Sequence, residues 1–287
     1  MPAERALLNA YLKKQVVVDA EINRVLRATI RSLSAEITRL STISGPGAAL
    51  RATQLGLTRD IMQGWAKIGT VIERNVIASA ADIAKVQQAF DSVLFAKHGA
   101  GISEDYARSL LQTARSGMDS YISRAHNGLD LSERVYKNGR KGVKTVESLI
   151  NQGLLSGKSA REIAASVKRY ISPTTPGGMS YAAQRLGRTE LNNAFHATSI
   201  RLAVEDPFVE SLQWHLSGSH PRADECDAIA GNVGFRGGDA GQYRPGDVPS
   251  KPHPQCLCYT SPVTISDEEF LRRLRRGDLD HMADLVA

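Results

Sequence analysis

The chain is short of cysteine, of aromatics and of long apolar runs, and each shortage excludes something. Three cysteines occur in 287 residues, with none before Cys226. Three thiols cannot all pair, so thiolate ligation or free thiols are expected rather than a disulfide framework. Aromatics make up only 6%, which favours cores of Leu, Ile, Val and Ala on helices over a β-sandwich rich in Tyr and Trp. No run approaches the roughly 18 to 20 apolar residues of a membrane-spanning helix. The opening MPAERALLNAYLKKQ puts Glu4 where a signal peptide carries only positive charge. The expectation is a protein made and used inside a cell, or inside a particle assembled there.

What is present describes an ordinary globular chain of one or two domains, 42% hydrophobic and 23% charged. The net charge of +6 is unevenly spread. Residues 1–205 hold 28 Lys and Arg against 17 Asp and Glu, a net +11, whereas residues 206–287 hold 8 against 13, a net −5. Such a field favours an acidic partner or nucleic acid, although the cations are scattered and also suit a solvated face.

Helical periodicity dominates the first two thirds. Leu26, Ile30, Leu33, Ile37 and Leu40 recur at helical spacing within a predicted helix over 4–41, forming a seam that expects a partner helix. Ser44-Gly45-Pro46-Gly47 breaks it. A second helical stretch spans 48–97 with an interruption near Ala78 to Ala81, and a third spans 103–125 with Ser103 as N-cap. His126-Asn127-Gly128 stops that one. Two shorter helices follow between Leu131 and Ser172, the second opened by the capping box Ser159-Ala160-Arg161-Glu162. The neighbouring Gly153-Leu154-Leu155-Ser156-Gly157-Lys158-Ser159 only imitates a phosphate-binding loop: it has three residues between its glycines where four are needed, and it follows a helix. After the turn at Pro173 to Gly178 a helix over 181–205 carries a polar stripe, Arg185, Thr189, Asn192, His196 and Ser199. Asn, His and Thr are weak helix formers, so the stripe suits hydrogen bonding to a neighbouring element as well as exposure.

Phe208 to Leu216 alternates enough for a strand, with Cys258 to Val263 as its partner. The segment between is rich in Gly, Pro and Asp and poor in aliphatics, so burial alone does not hold it compact. All three cysteines lie there, with His215, His220 and His253. Zinc prefers four Cys or His ligands in a tetrahedron. Cys226, His253, Cys256 and Cys258 make a closed Cys3His set, with His220 the competing fourth ligand. Reduced cysteines in a small core are the alternative, since no Cys-x-x-Cys knuckle is present. Catalytic readings, a Cys226 or Cys256 nucleophile with a His base or a metal nuclease using His215, His220 and His253, are the weaker ones. A helix over 266–276, capped by Ser266, closes the chain.

The ordered set Gly153 to Ala164, Arg188-Thr189-Glu190 with Asn193, Trp214, Asp224 with Cys226, and His253-Pro254-Gln255-Cys256-Leu257-Cys258 resembles the phage head-morphogenesis family, the minor head proteins similar to the F protein of bacteriophage Mu. The likeness covers roughly residues 140–263. One departure stands out: many members have two cysteines at the first half-site, and here Cys226 is followed by Asp227. The resemblance implies a structural virion protein and no enzyme, placed at the portal vertex or capsid interior, and in the host cytoplasm during assembly. It would act in head assembly and in DNA packaging or ejection. Its implied partners are the portal protein, the major capsid or scaffold protein, and packaged DNA. The alternative from another class is a metal-dependent nuclease or DNA-binding module. The expected fold is α+β and predominantly α: an elongated helical region over 1–127, a module of helices, strand pair and Cys/His loop over 128–263, and a C-terminal helix and tail over 264–287.

Overall fold

A computed structural model gives the fold, and the structure describes residues 5–40, 48–124, 129–172, 175–218, 220 and 223–285. The chain is predominantly helical, with a small antiparallel sheet. In order come α1 (Ala6–Leu40), α2 (Ala48–Ala78), α3 (Ala80–Lys97), β1 (Ala100–Ile102), α4 (Glu104–Ile122), α5 (Leu131–Leu155), α6 (Ala160–Ile171) and α7 (Met179–Glu205). Then follow β2 (Val209–His215), α8 (Glu225–Ala230), β3 (Gln242–Tyr243), β4 (Tyr259–Thr264), α9 (Asp267–Arg275) and β5 (Ala283–Leu285). The sequence breakers at 44–47 and 126–128, Pro173, and the side chains of Ile37 and Leu40 lie outside the described residues.

Local signals account for most helix ends. Ser103 accepts a hydrogen bond from the Tyr106 amide at the start of α4, and Ser266 does the same for Glu269 at α9. Capping boxes open α5, through Asp130 and Glu133, and α6, through Ser159 and Glu162. The interruption between α2 and α3 falls at Ser79, whose hydroxyl donates to the Asn75 carbonyl one turn back.

The chain forms two compact units that alternate along the sequence. One comprises Val16–Arg74 and Arg124–Arg188. There Leu26 and Leu33 of the predicted seam are buried with Ile22, Ile61, Trp65 and Ile68. Helix α5 turns Val135, Gly139, Gly142, Val143, Val146 and Ile150 inward. Its glycines permit close approach to α2: a Cβ at Gly139 would stand 2.8 Å from the Met62 sulfur.

The other unit comprises Met1–Gln15, Asn75–Ser123 and Thr189–Ala287. Its three-stranded sheet has the order β3-β2-β4, and His215 faces Tyr259 across β2 and β4. The partner predicted for β2 is therefore present. Three short strands were not predicted: β3, which pairs with β2, and β1 and β5, which pair with each other and bring Ala100 opposite Leu285. Phe95, Phe208 and Phe270 pack ring against ring with centroids 5.2 to 5.4 Å apart. Beside them lies a buried carboxylate pair. Gln87 donates to both Asp91 (2.9 Å) and Asp206 (2.8 Å), the Tyr106 hydroxyl donates to Asp91 (2.9 Å), and the Phe208 amide donates to Asp206 (2.8 Å). Burial, with Asp206 alongside, pushes the Asp91 carboxyl up to about 8. The pair shares a proton rather than carrying two charges.

Candidate metal centre

The pairing of His215 with Tyr259 brings both ends of the segment 216–258 to one edge of the sheet. The segment has to fold back over that edge with few aliphatic residues of its own. Its helix α8 is fixed by a third capping box: Asp224 Oδ1 accepts from the Cys226 amide, and Asp227 Oδ2 accepts from the Asp224 amide, each at 2.7 Å. Cys226 is thereby set in the first turn, wholly buried. The returning stretch turns at Gln255, a non-glycine residue with φ of 60°, and delivers Cys256 and Cys258, both buried.

Helix α7 holds that returning stretch through the predicted polar stripe. Asn192 donates its side-chain amide to the Cys256 carbonyl, Thr189 accepts from the Gln255 amide (3.3 Å), and His196 Nε2 meets the Pro249 carbonyl at 2.8 Å. Burial and then the nearby Lys251 charge push the His196 imidazole down to about 3, so it is neutral and donates to Pro249. Ser199 is turned to its own helix, donating to the His196 carbonyl. The stripe is thus a dock, and its weak helix formers are there for their side-chain polarity.

Trp214, Cys226, Cys256 and Cys258 form one buried cluster, with Ile229, Ala230, Tyr243 and Val248 against it. The Cys226 sulfur lies 3.5 Å from that of Cys256 and 3.4 Å from His253 Nε2, while the Cys258 sulfur lies 4.0 Å from His220 Nδ1. Three groups of potential ligands result among the described residues, His220 with Cys226 and Cys258, Cys226 with His253 and Cys256, and His220 with Asp224 and Asp227; within each, all donor atoms lie within 4.8 Å. Cys226 belongs to the first two. A tetrahedron with metal–sulfur bonds of about 2.3 Å has edges of about 3.8 Å, close to the spacing inside each of those two, while Cys256 and Cys258 fall in different groups that share Cys226. These Cys and His groups can hold a metal ion.

Electrostatics around the sulfurs point the same way. Hydrogen bonding from Cys256, against the cost of burial, holds the Cys258 thiol down to about 5. Burial pushes Cys226 up to about 12, and hydrogen bonding to Cys258 together with burial pushes Cys256 up. Cys226 and Cys256 thus keep their protons when no cation is bound, and a divalent ion would displace them. The Lys251 ammonium stands 5.1 Å over the Trp214 ring and donates to the Cys258 carbonyl. Its charge would offset the net −1 of a divalent ion held by three thiolates and a neutral imidazole.

Each candidate histidine is oriented by an acceptor. His220 Nε2 lies 2.9 Å from Asp227 Oδ2, an interaction that raises its pKa and leaves Nδ1 toward Cys258. His253 Nδ1 meets the Pro254 carbonyl at 3.2 Å, and its Nε2 lies 3.2 Å from Asp224 Oδ2 as well as near Cys226. All five predicted ligand residues, Cys226, Cys256, Cys258, His220 and His253, are therefore brought together. His215 is not among them: it stacks on Tyr259 and meets the Ser261 hydroxyl at 2.7 Å, and it belongs to none of the possible metal groups among the described residues. Sequence reasoning missed Asp227 and Lys251. The Asp224-x-x-Asp227 spacing, a capping-box pattern, was the available signal for Asp227; Lys251 had none.

The arrangement defines a class, a helical protein with a small sheet whose long loop is gathered by Cys and His side chains able to hold a metal. No family model, no curated protein and no solved structure matches the chain.

Proposed function

We propose that the chain is a structural minor head protein of a tailed bacteriophage, associated with the portal or the capsid interior and acting in head assembly. Its sheet-bearing unit is held by zinc on Cys226, Cys256 and Cys258. His220 is the fourth ligand, since its Nε2 is occupied by Asp227 and its Nδ1 is free to ligate, in the carboxylate–histidine–metal pattern. His253 shares its Nε2 with Asp224 and serves as the outer partner.

The observation that carries this reading is convergence. Part of the set that gave the family resemblance meets around one centre, Thr189 against Gln255, Trp214 against the three cysteines and Asp224 against the Cys226 amide, whereas Glu190 accepts from Tyr121 and Gly153 to Ala164 belong to the other unit. Three buried thiols leave zinc shielded, which suits holding a fold rather than activating water.

Elemental analysis of protein purified without chelator is expected to give close to one zinc per chain, lost in Cys256→Ser. Folded protein without zinc would sink the clamp. For the head assignment, labelled protein is expected at the portal vertex of assembling heads in low copy. Its absence from heads and from portal complexes would overturn that part alone. Plasmid DNA incubated with the protein and divalent metals is expected to remain intact, and cleavage would favour the nuclease alternative.

A further inference from the structure

The positive charge is not spread over the fold. The unit of Val16–Arg74 and Arg124–Arg188 carries 20 Lys and Arg against 9 Asp and Glu, a net +11; the other carries 16 against 21, a net −5. Within the basic unit α5 concentrates the excess. Lys137, Arg140, Lys141 and Lys144 are all exposed and follow one another at helical spacing, so they stand on one face over two turns. None has an ion-pair partner among the described residues. Two acids flank the row: Glu133 is engaged at the helix cap, accepting from the Asp130 amide at 2.8 Å, and Glu147, one turn beyond Lys144, makes no ion pair with it among the described residues. Tyr136, 56% exposed, flanks the row one turn from Arg140.

The face is also held rigidly. The opposite side of α5 is locked on α2, where a Cβ at Gly142 would already touch Ile61 and Trp65 at 3.4 Å. Lys137 and Lys141, and likewise Arg140 and Lys144, are separated by about 6 Å along the axis. A rigid row of unpaired cations at that spacing suits a phosphate backbone, and it offers no matched set of donors and acceptors for reading bases.

We propose that this face of α5 binds double-stranded DNA through its phosphates, without sequence preference. The proposal rests on the charge and packing of one unit and not on the zinc clamp or the head assignment. DNA binding and zinc content are read by separate assays, so either can fail alone.

The test is binding to two 30-base-pair duplexes of unrelated sequence between 50 and 200 mM salt. Four neutralised phosphates give a log–log slope of about −3.6, which is a loss of about 150-fold over that range. The two duplexes are expected to bind within about threefold of each other. Two double variants, Lys137→Gln with Lys141→Gln and Arg140→Gln with Lys144→Gln, are each expected to remove about half of the slope, at unchanged helix content and zinc content. A control that removes twice the charge of either variant alters four exposed cations of the other unit, Lys13, Lys85, Arg115 and Arg275, to Gln and is expected to leave both slope and affinity unchanged. No binding at 50 mM salt, equal losses in the control, or a preference above about tenfold for one duplex would each overturn the proposal.

Discussion

Asp91→Asn tests the energetics of the sheet-bearing unit most directly. Wholly buried Asp91 keeps its proton up to about 8, against a usual carboxylate value of 3.8, because burial and the neighbouring Asp206 oppose its ionisation. Its folded-state pKa therefore lies above its unfolded one. Between those values the folded state binds the extra proton, so the stabilisation is fully present below about pH 4 and is lost as pH rises through about 8. Each unit of separation is worth about 1.36 kcal/mol. At pH 7 roughly three units have been traversed, a cost of about 4 kcal/mol, which sharing with Asp206 reduces to the order of 2–4 kcal/mol. Asparagine keeps the shape, donates to Asp206 and accepts from Tyr106 without needing a proton from solvent, while Gln87 loses its acceptor there at a cost of about 1 kcal/mol and keeps its bond to Asp206. Urea unfolding followed by helical circular dichroism from pH 4.5 to 9 is expected to show Asp91→Asn more stable than the parent by about 2–4 kcal/mol at pH 8, with the gap closing toward pH 4.5. A pH-independent difference, or a variant less stable at pH 8, would refute the shared-proton account.

Four further outcomes follow from named contacts. Asn192→Ala leaves the buried Cys256 carbonyl without its donor and should cost about 1–3 kcal/mol in unfolding, with faster loss of bound zinc to a chelator. Asp227→Asn, by loosening the imidazole of His220, should weaken zinc about 10- to 100-fold in competition with a chromophoric chelator. His220→Asn should weaken it more and His253→Asn less, and the reverse order would transfer the ligand to His253. Gly153→Ala places a methyl 2.6 Å from Ile163 where α5 meets α6, and should lower stability by about 1–3 kcal/mol in thermal melts.

The helices were legible because their signals are local. Ser103, Ser266 and the Ser159–Glu162 box each satisfy amides within three residues of themselves, so the residues that decide a boundary sit beside it. The β2–β4 pair was legible through alternation and length. Strands β1 and β5 are three residues each, too short for any period to show, and exist only because they meet. The ligand set was visible as composition, since Cys and His rarely gather in a loop without cause. Its outer partners were not, because Asp227 and Lys251 have ordinary surface-residue identities until a neighbour is specified.

What the sequence determined by itself is the helical class, most element ends and the donor residues of the loop from Cys226 to Cys258. Periodicity, caps and residue chemistry act over a few positions and need no partner to be read. Only the tertiary structure decided that the polar stripe of α7 docks Gln255 and Cys256, that Asp91 and Asp206 share a buried proton, and that the +11 of charge belongs to one unit assembled from two separated stretches. Those facts are properties of pairs far apart in the chain. A hydrogen bond, a shared proton or an electrostatic field depends on distance in space, and one-dimensional order leaves that distance free until packing fixes it.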